Sequence, residues 1–234
     1  MFGRIVLTAI AAGLISGVFV WGAHMVKTTP LILAAEIYED AGTGAGQPPP
    51  PAAEAHPAAA PAADEWAPAD GLERGAFTLL SDVLTSVGFA FLLVGAITLS
   101  GRRVDWRRGV VWGLCGFTAI YVSPALGLAP ELPGMQAAEL GARQAWWLGT
   151  VAATAVGLAL IAFQPRAAMK ALGVGLVALP HLIGAPGHAV QAGAGGVPPE
   201  LAAEFAIATL VVSGLFWMVL GGLTGYFYNR FERP

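Results

Sequence analysis

Residues 76–108 read AFTLLSDVLTSVGFAFLLVGAITLSGRRVDWRR. Residues 76–99 carry a single charge, Asp82, and a helix of that length crosses the roughly 30 Å of hydrocarbon in a bilayer. Four arginines follow directly, within residues 102–108. A membrane-length apolar run that ends in clustered arginine is a transmembrane helix leaving on the cytoplasmic side, because basic residues are retained there.

Outward from this stretch the pattern repeats. Further apolar runs lie near 4–26, 109–129, 145–163, 168–185 and 204–228. The fifth in chain order, 168–185, is short and carries Pro180 and His181 near its end, so it reads as a short span or a re-entrant segment. Of 234 residues 56% are hydrophobic and 12% charged, with mean hydropathy +0.67, which excludes an ordinary soluble domain. The expected fold is an all-α, polytopic transmembrane helix bundle of six spans. It forms a single membrane domain over 1–234, interrupted by an external Pro/Ala-rich loop at about 42–68. That loop buries too little apolar area to offset its ordering entropy, so the sequence predicts a flexible or polyproline-like tether. Arg4 followed by an apolar run imitates a signal peptide, but no A-x-A-like cleavage site follows, and a retained first span is expected.

Charge segregation orients the bundle. With both termini cytoplasmic, nine of the twelve Lys/Arg residues fall inside, leaving only Lys27, Arg74 and Arg143 outside. All four histidines, His24, His56, His181 and His188, fall outside, and of the fifteen acids only Asp105 and Glu232 fall inside. Every strong nitrogen ligand therefore lies toward the external face.

Small residues recur at four-residue spacing: Ala9, Gly13 and Gly17; Gly109 and Gly113; Gly149, Ala153 and Gly157; Gly221 and Gly225. In lipid this spacing lets helix backbones approach closely, so it predicts a compact bundle and suits homo-oligomer contacts. Two odd-numbered spans end in P-x-L-x-x-A-P, at Pro124–Pro130 and Pro180–Pro186, with a looser version beginning at Pro30. The recurrence predicts three tandem helix hairpins in parallel orientation.

The candidate metal ligands are His181, Asp82, His24, Glu36, His188 and Glu204. Asp82 costs about 2.5–3.5 kcal/mol at membrane depth, so it faces a partner or a wet cavity. His181 follows a proline that frees a carbonyl one turn earlier, and freed carbonyls near broken helices are cation ligands in transporters. His24 and Glu36 stand at the outer end of the first hairpin, His188 in the last external loop, and Glu204 at the start of the sixth span. Imidazole with carboxylate suits cobalt, nickel or zinc, whereas the thiolate or Met clusters that copper(I) prefers are absent. His56 is a lone loop histidine, and Cys115 reads as a small buried hydrophobe.

No G-x-x-x-x-G-K-[ST] loop, H-E-x-x-H motif or Ser/His/Asp cluster is present, so neither P-loop hydrolysis nor an enzyme is expected. RRVDWRR suits orientation and anionic lipid, and no nucleic-acid partner is expected.

Several longer stretches carry a resemblance. PLILAAEIYE, EWAPADGLER, DWRRGVVWGLCGF, SPALGLAPELPGM, RQAWWLGT, ALPHLIGAP and the closing PPELAAEFAIATL…LFWMVLGGLTGYFY together resemble the CbtA family, the predicted cobalt transporter subunit of bacteria. The resemblance covers the chain outside 42–63. It implies an inner-membrane, multi-pass protein admitting Co²⁺, or Ni²⁺, as transported ion in support of cobalamin synthesis, with no permanently bound cofactor. It also implies a CbtB-like partner, a small single-span membrane protein with C-terminal histidines. Members of the family often carry a histidine-rich first external loop; here that loop holds only His56. The alternative from a different class is a membrane scaffold whose small-residue seams bind another membrane protein.

Overall fold

The computed structural model of the chain describes residues 1–44, 68–69, 71–135, 137–187 and 196–232, with residues 39–44 described by backbone only. Among the described residues the chain is helical without strands. In order come α1 (Phe2–Lys27), α2 (Thr29–Gly44), α3 (Leu72–Ser100) and α4 (Trp106–Phe117). A π-helical segment (Thr118–Val122) and the short α5 (Ser123–Ala125) continue α4, followed by α6 (Leu140–Phe163), α7 (Ala167–Ile183) and α8 (Pro199–Arg230). Four helices, α1, α3, α6 and α8, are long and apolar enough to cross a membrane.

The other two expected spans correspond to less regular stretches. Residues 109–129 take the continuous path α4–π–α5, whose three parts have twelve, five and three residues. Pro124 explains the change of register. In a regular α-helix its ring would clash with the Ile120 carbonyl and it has no N–H to donate. A wider turn relieves this, and the Ser123 N–H reaches back to Thr118. Residues 168–185 form α7, apolar but only seventeen residues long, with Pro180 inside it and Gly184 at its end, where φ is 89°.

A further helix, α2, lies between the first two expected spans. Pro30 cannot donate to the Val26 carbonyl, so α1 stops and α2 begins after the single residue Thr28. The Thr28 carbonyl then accepts from Leu31 and Ile32 at 3.1 and 3.0 Å. Ala35 of α2 packs with Leu132 and Phe205, joined by Leu31, Ile32, Val197 and Leu201, to form an apolar layer at this end of the bundle. Nearby Glu139 caps α6, accepting from the Gly141 and Ala142 N–H groups at 2.7 Å each, and these bonds hold its carboxyl below the usual range.

The main core lies between α1, α3 and α8, built from Ala9, Ala12, Val20, Ala90, Val94, Val212, Phe216, Trp217 and Leu220. Lipid is as apolar as these side chains, so close van der Waals packing holds the helices together. Glycine decides where that packing occurs. A Cβ on Gly13 would stand 2.5 Å from the Val87 Cα, and one on Gly17 would stand 2.6 Å from the Val83 Cα, which joins α1 to α3. Gly109 and Gly113 meet Gly221, Gly225 and the Trp217 carbonyl, joining α4 to α8. Gly157 and Gly173 face one another's carbonyls, a Cβ on either falling 2.6 Å away, and join α6 to α7. Gly149 has nothing within 4 Å and belongs to no seam.

The resulting partners are span 1 with 2, 3 with 6, and 4 with 5. Three equivalent hairpins would pair 1–2, 3–4 and 5–6. The expectation of three tandem repeats therefore finds no counterpart in the packing, because glycine seams rather than chain order choose each neighbour. At the bundle end that holds both described termini, Arg4 donates to the Tyr228 carbonyl at 2.7 Å and lies 3.6 Å over the Tyr228 ring. Arg4 also meets Glu232 at 3.3 Å.

Candidate functional site

The α1–α3 seam positions the first two candidate residues. The contacts 13–87 and 17–83 set the antiparallel register, in which His24 lies beyond Asp82 by about 9 Å along the axis. Side chains on an α-helix lean toward its N-terminus, and in antiparallel helices these two lean toward each other. They meet: His24 Nδ1 stands 3.1 Å from Asp82 Oδ2, with the two side chains 29% and 16% exposed.

In the tautomer where Nδ1–H donates to the carboxylate, Nε2 keeps its lone pair. This is the arrangement in which metal-binding histidines are held, a carboxylate behind the ring fixing its tautomer and raising its basicity. The pair gives Asp82 a partner for a charge that would otherwise be costly at this depth.

His24 lines a cleft of about 760 Å³ between α1, α2, α3 and α8. Met25, Thr28, Arg74, Thr78 and Thr209 also line it. Three of the cleft's four threonine hydroxyls donate to backbone carbonyls one turn earlier: Thr28 to His24, Thr78 to Arg74 and Thr209 to Phe205, at 3.4, 2.8 and 2.7 Å. Their oxygens keep acceptor capacity. The indole N–H of Trp21 donates to the Gly75 carbonyl at 3.0 Å, a further tie between α1 and α3.

Glu36, on α2, accepts from both terminal guanidinium nitrogens of Arg74, Nη1 lying 3.3 Å from Oε2 and Nη2 meeting Oε1. Arg143 likewise has a carboxylate partner, Glu131, at 2.8 Å. The second pair borders another recess, of about 580 Å³, beside the π segment, α5 and α6.

His181 belongs to a different cluster. Its Nε2 lies 3.1 Å from Ser123 Oγ, which receives the Thr154 hydroxyl at 2.9 Å. Ser123 Oγ keeps a second lone pair after accepting from Thr154, so it can receive Nε2–H of the tautomer that leaves the His181 Nδ1 lone pair free. Trp146 presents its ring to His181 at 6.1 Å, edge-on, and its Nε1 is buried with no hydrogen-bond partner among the described residues.

The sequence-derived candidates are therefore divided. His24 and Asp82 are brought into contact, Glu36 is held by Arg74 close by, and His181 sits with hydroxyls of α5 and α6. Glu204 is exposed on α8, one residue from Phe205, which lines the cleft. His188 and His56 lie outside the described residues. Among the described residues no three His, Cys, Asp or Glu side chains gather into a closed metal cage. Sequence reasoning missed Arg74, Ser123 and Thr154. Arg74 carried a signal, as one of only three cations on the external side; the two hydroxyls carried none.

A family model described as a probable cobalt transporter subunit (CbtA) matches residues 2–229. No curated protein and no solved structure matches the chain.

Proposed function

The chain belongs to the CbtA family of probable cobalt transporter subunits, and we propose that it admits Co²⁺, or Ni²⁺, from the external side through the His24 cleft. The observation that carries this reading is the His24–Asp82 pair. It places a carboxylate on one nitrogen of an imidazole that lines a cleft together with threonines and a methionine. A single neutral imidazole with weak oxygen donors replaces part of a hydration shell without trapping the ion, as a transport site requires.

Glu36 lies close enough to the cleft to join the ligand set if Arg74 yields it, and Glu204 lies at the α8 side. His181, its other nitrogen engaged by Ser123, is a second station in the α5–α7 cluster, and His188 belongs to the same external face. The ion serves cobalamin supply, and a CbtB-like single-span partner provides the histidine-rich capture arm this chain lacks. The scaffold alternative needs free small-residue seams; here Gly13, Gly17, Gly109, Gly113, Gly157, Gly221 and Gly225 are used within the chain.

We place the protein in the cytoplasmic membrane with six crossings and both termini inside. In a Cys115→Ala background, single cysteines at Ala45 and Gly193 are expected to react with an impermeant maleimide from outside, and one at Gly101 is not. External labelling at Gly101 inverts the orientation; protection at Gly193 means that α7 does not cross.

The functional test is radiolabelled Co²⁺ and Ni²⁺ uptake in cells carrying this chain alone, a CbtB-like partner alone, or both. Uptake above background only when this chain is present supports the reading. Uptake by the partner alone at the level of the pair returns this chain to the scaffold class.

A further inference from the structure

The bundle end opposite the cleft carries a surface that the transport reading does not use. After α3 the chain turns at Gly101, where φ is 64°. Arg108 then braces the loop by donating to the Arg103 carbonyl at 2.9 Å, and Asp105 accepts the Arg108 N–H at 2.9 Å. Val104 is 4% exposed and packs with Leu93 and Ile97. The loop is thus shaped by groups other than Arg102 and Arg103, whose side chains are exposed.

Arg102 lies 4.6 Å over the ring of Phe163, at the end of α6. This contact sets the loop beside the α6–α7 turn, which carries Arg166 and Lys170. Arg107 lies 5.3 Å over the ring of Trp106, itself 55% exposed. Among the described residues no carboxylate pairs with Arg102, Arg103, Arg107, Arg166 or Lys170. Asp105, the nearest acid, is committed to capping α4.

Orienting a membrane protein needs only the charges. It does not need a braced loop or guanidinium planes stacked on rings. A stacked guanidinium keeps its N–H edge free for two parallel bonds to a phosphate, the recognition for which arginine is suited. The neighbours are apolar: Leu99 is 90% exposed and Phe163 38%. A lipid headgroup with its chains covers both kinds of surface, whereas a free phosphate covers only the first.

We propose that Arg102, stacked on Phe163, and Arg103, with Arg107 over Trp106 at the start of α4, form a binding site for the headgroup phosphate of an anionic phospholipid of the cytoplasmic leaflet. The site lies at the other end of the molecule from the cleft and stands or falls independently of it.

The test is native mass spectrometry of the purified protein supplied with equal phosphatidylglycerol and phosphatidylcholine. The wild type is expected to retain phosphatidylglycerol over phosphatidylcholine by about tenfold, and the R102Q/R103Q variant to retain the two equally. Lys27→Gln, at the opposite end, is expected to keep the wild-type preference. Excess inorganic phosphate is expected not to displace the lipid; displacement would make this a free-anion site and overturn the proposal. An undiminished preference in R102Q/R103Q would also overturn it. If that double variant fails to assemble, Arg102→Lys carries the test, since it keeps the charge and loses the stacked plane. A reduced phosphatidylglycerol preference in Arg102→Lys supports the site, and an unchanged one sinks it.

Discussion

Replacing His24 with alanine is expected to lower Co²⁺ uptake, measured per molecule of protein in the membrane, by more than about tenfold. Loss of a hydrogen-bonded partner behind a ligand costs roughly 10–100-fold in metal affinity, and loss of the ligand itself costs at least as much. Asp82→Asn tests the pairing more finely. Its amide oxygen can still accept from Nδ1–H, but without the charge, so a smaller loss is expected than for His24→Ala. His181→Ala, which disturbs only the Ser123 cluster, is expected to lower uptake less than His24→Ala, and His56→Ala not to lower it. A larger loss for His181→Ala than for His24→Ala would move the site of ion capture to α5–α7. Full uptake in the His24→Ala, Asp82→Asn double variant would remove the cleft from the mechanism.

The second large effect concerns packing. Gly113→Leu is expected to prevent stable assembly, because its Cβ would fall on the Trp217 carbonyl with Gly221 close behind. Overpacking among flexible side chains costs about 1–3 kcal/mol, and backbone atoms of α8 have less room to yield. A sharp fall in the melting temperature of the purified protein, or its loss from the membrane, is the expected reading. Gly149→Leu makes the control: a Cβ there has nothing within 4 Å, and a change within about 0.5 kcal/mol is expected. Equal stability of the two variants would show that the α4–α8 seam does not hold the bundle.

The contrast between Gly113 and Gly149 shows what the sequence made legible. Apolar length located α1, α3, α6 and α8 to within five residues at either end, since bilayer thickness sets the length of a crossing helix. Four-residue glycine spacing marked the faces that approach closely, but Gly149 carried the same signal as Gly157 and faces no neighbour. Periodicity reports one helix; which helix lies against it is settled in three dimensions. The two P-x-L-x-x-A-P segments looked equivalent for the same reason. Pro124 forces a π turn, whereas Pro180 sits within a continuous α7. Asp82 was recognised as costly from composition alone. That His24 relieves it depends on register across α1 and α3, which no local pattern contains. The Arg74–Glu36 pair was hidden likewise, its members 38 positions apart on two helices.

The one-residue joint at Thr28 has a mechanical consequence. Its N–H and hydroxyl both bind the His24 carbonyl, at 3.1 and 3.4 Å, so the joint is fastened to the turn that bears the imidazole. Glu36 sits about 12 Å farther along α2. A swing of α2 by about 10° would displace Glu36 by about 2 Å, the length of a metal–nitrogen bond, while His24 stayed in place. The joint works as a lever with the imidazole near its fulcrum and the carboxylate on its arm. With an ion on His24 and Glu36 released by Arg74, a small swing would switch that ion between one protein ligand and two, and its exchange would depend on how freely α2 turns.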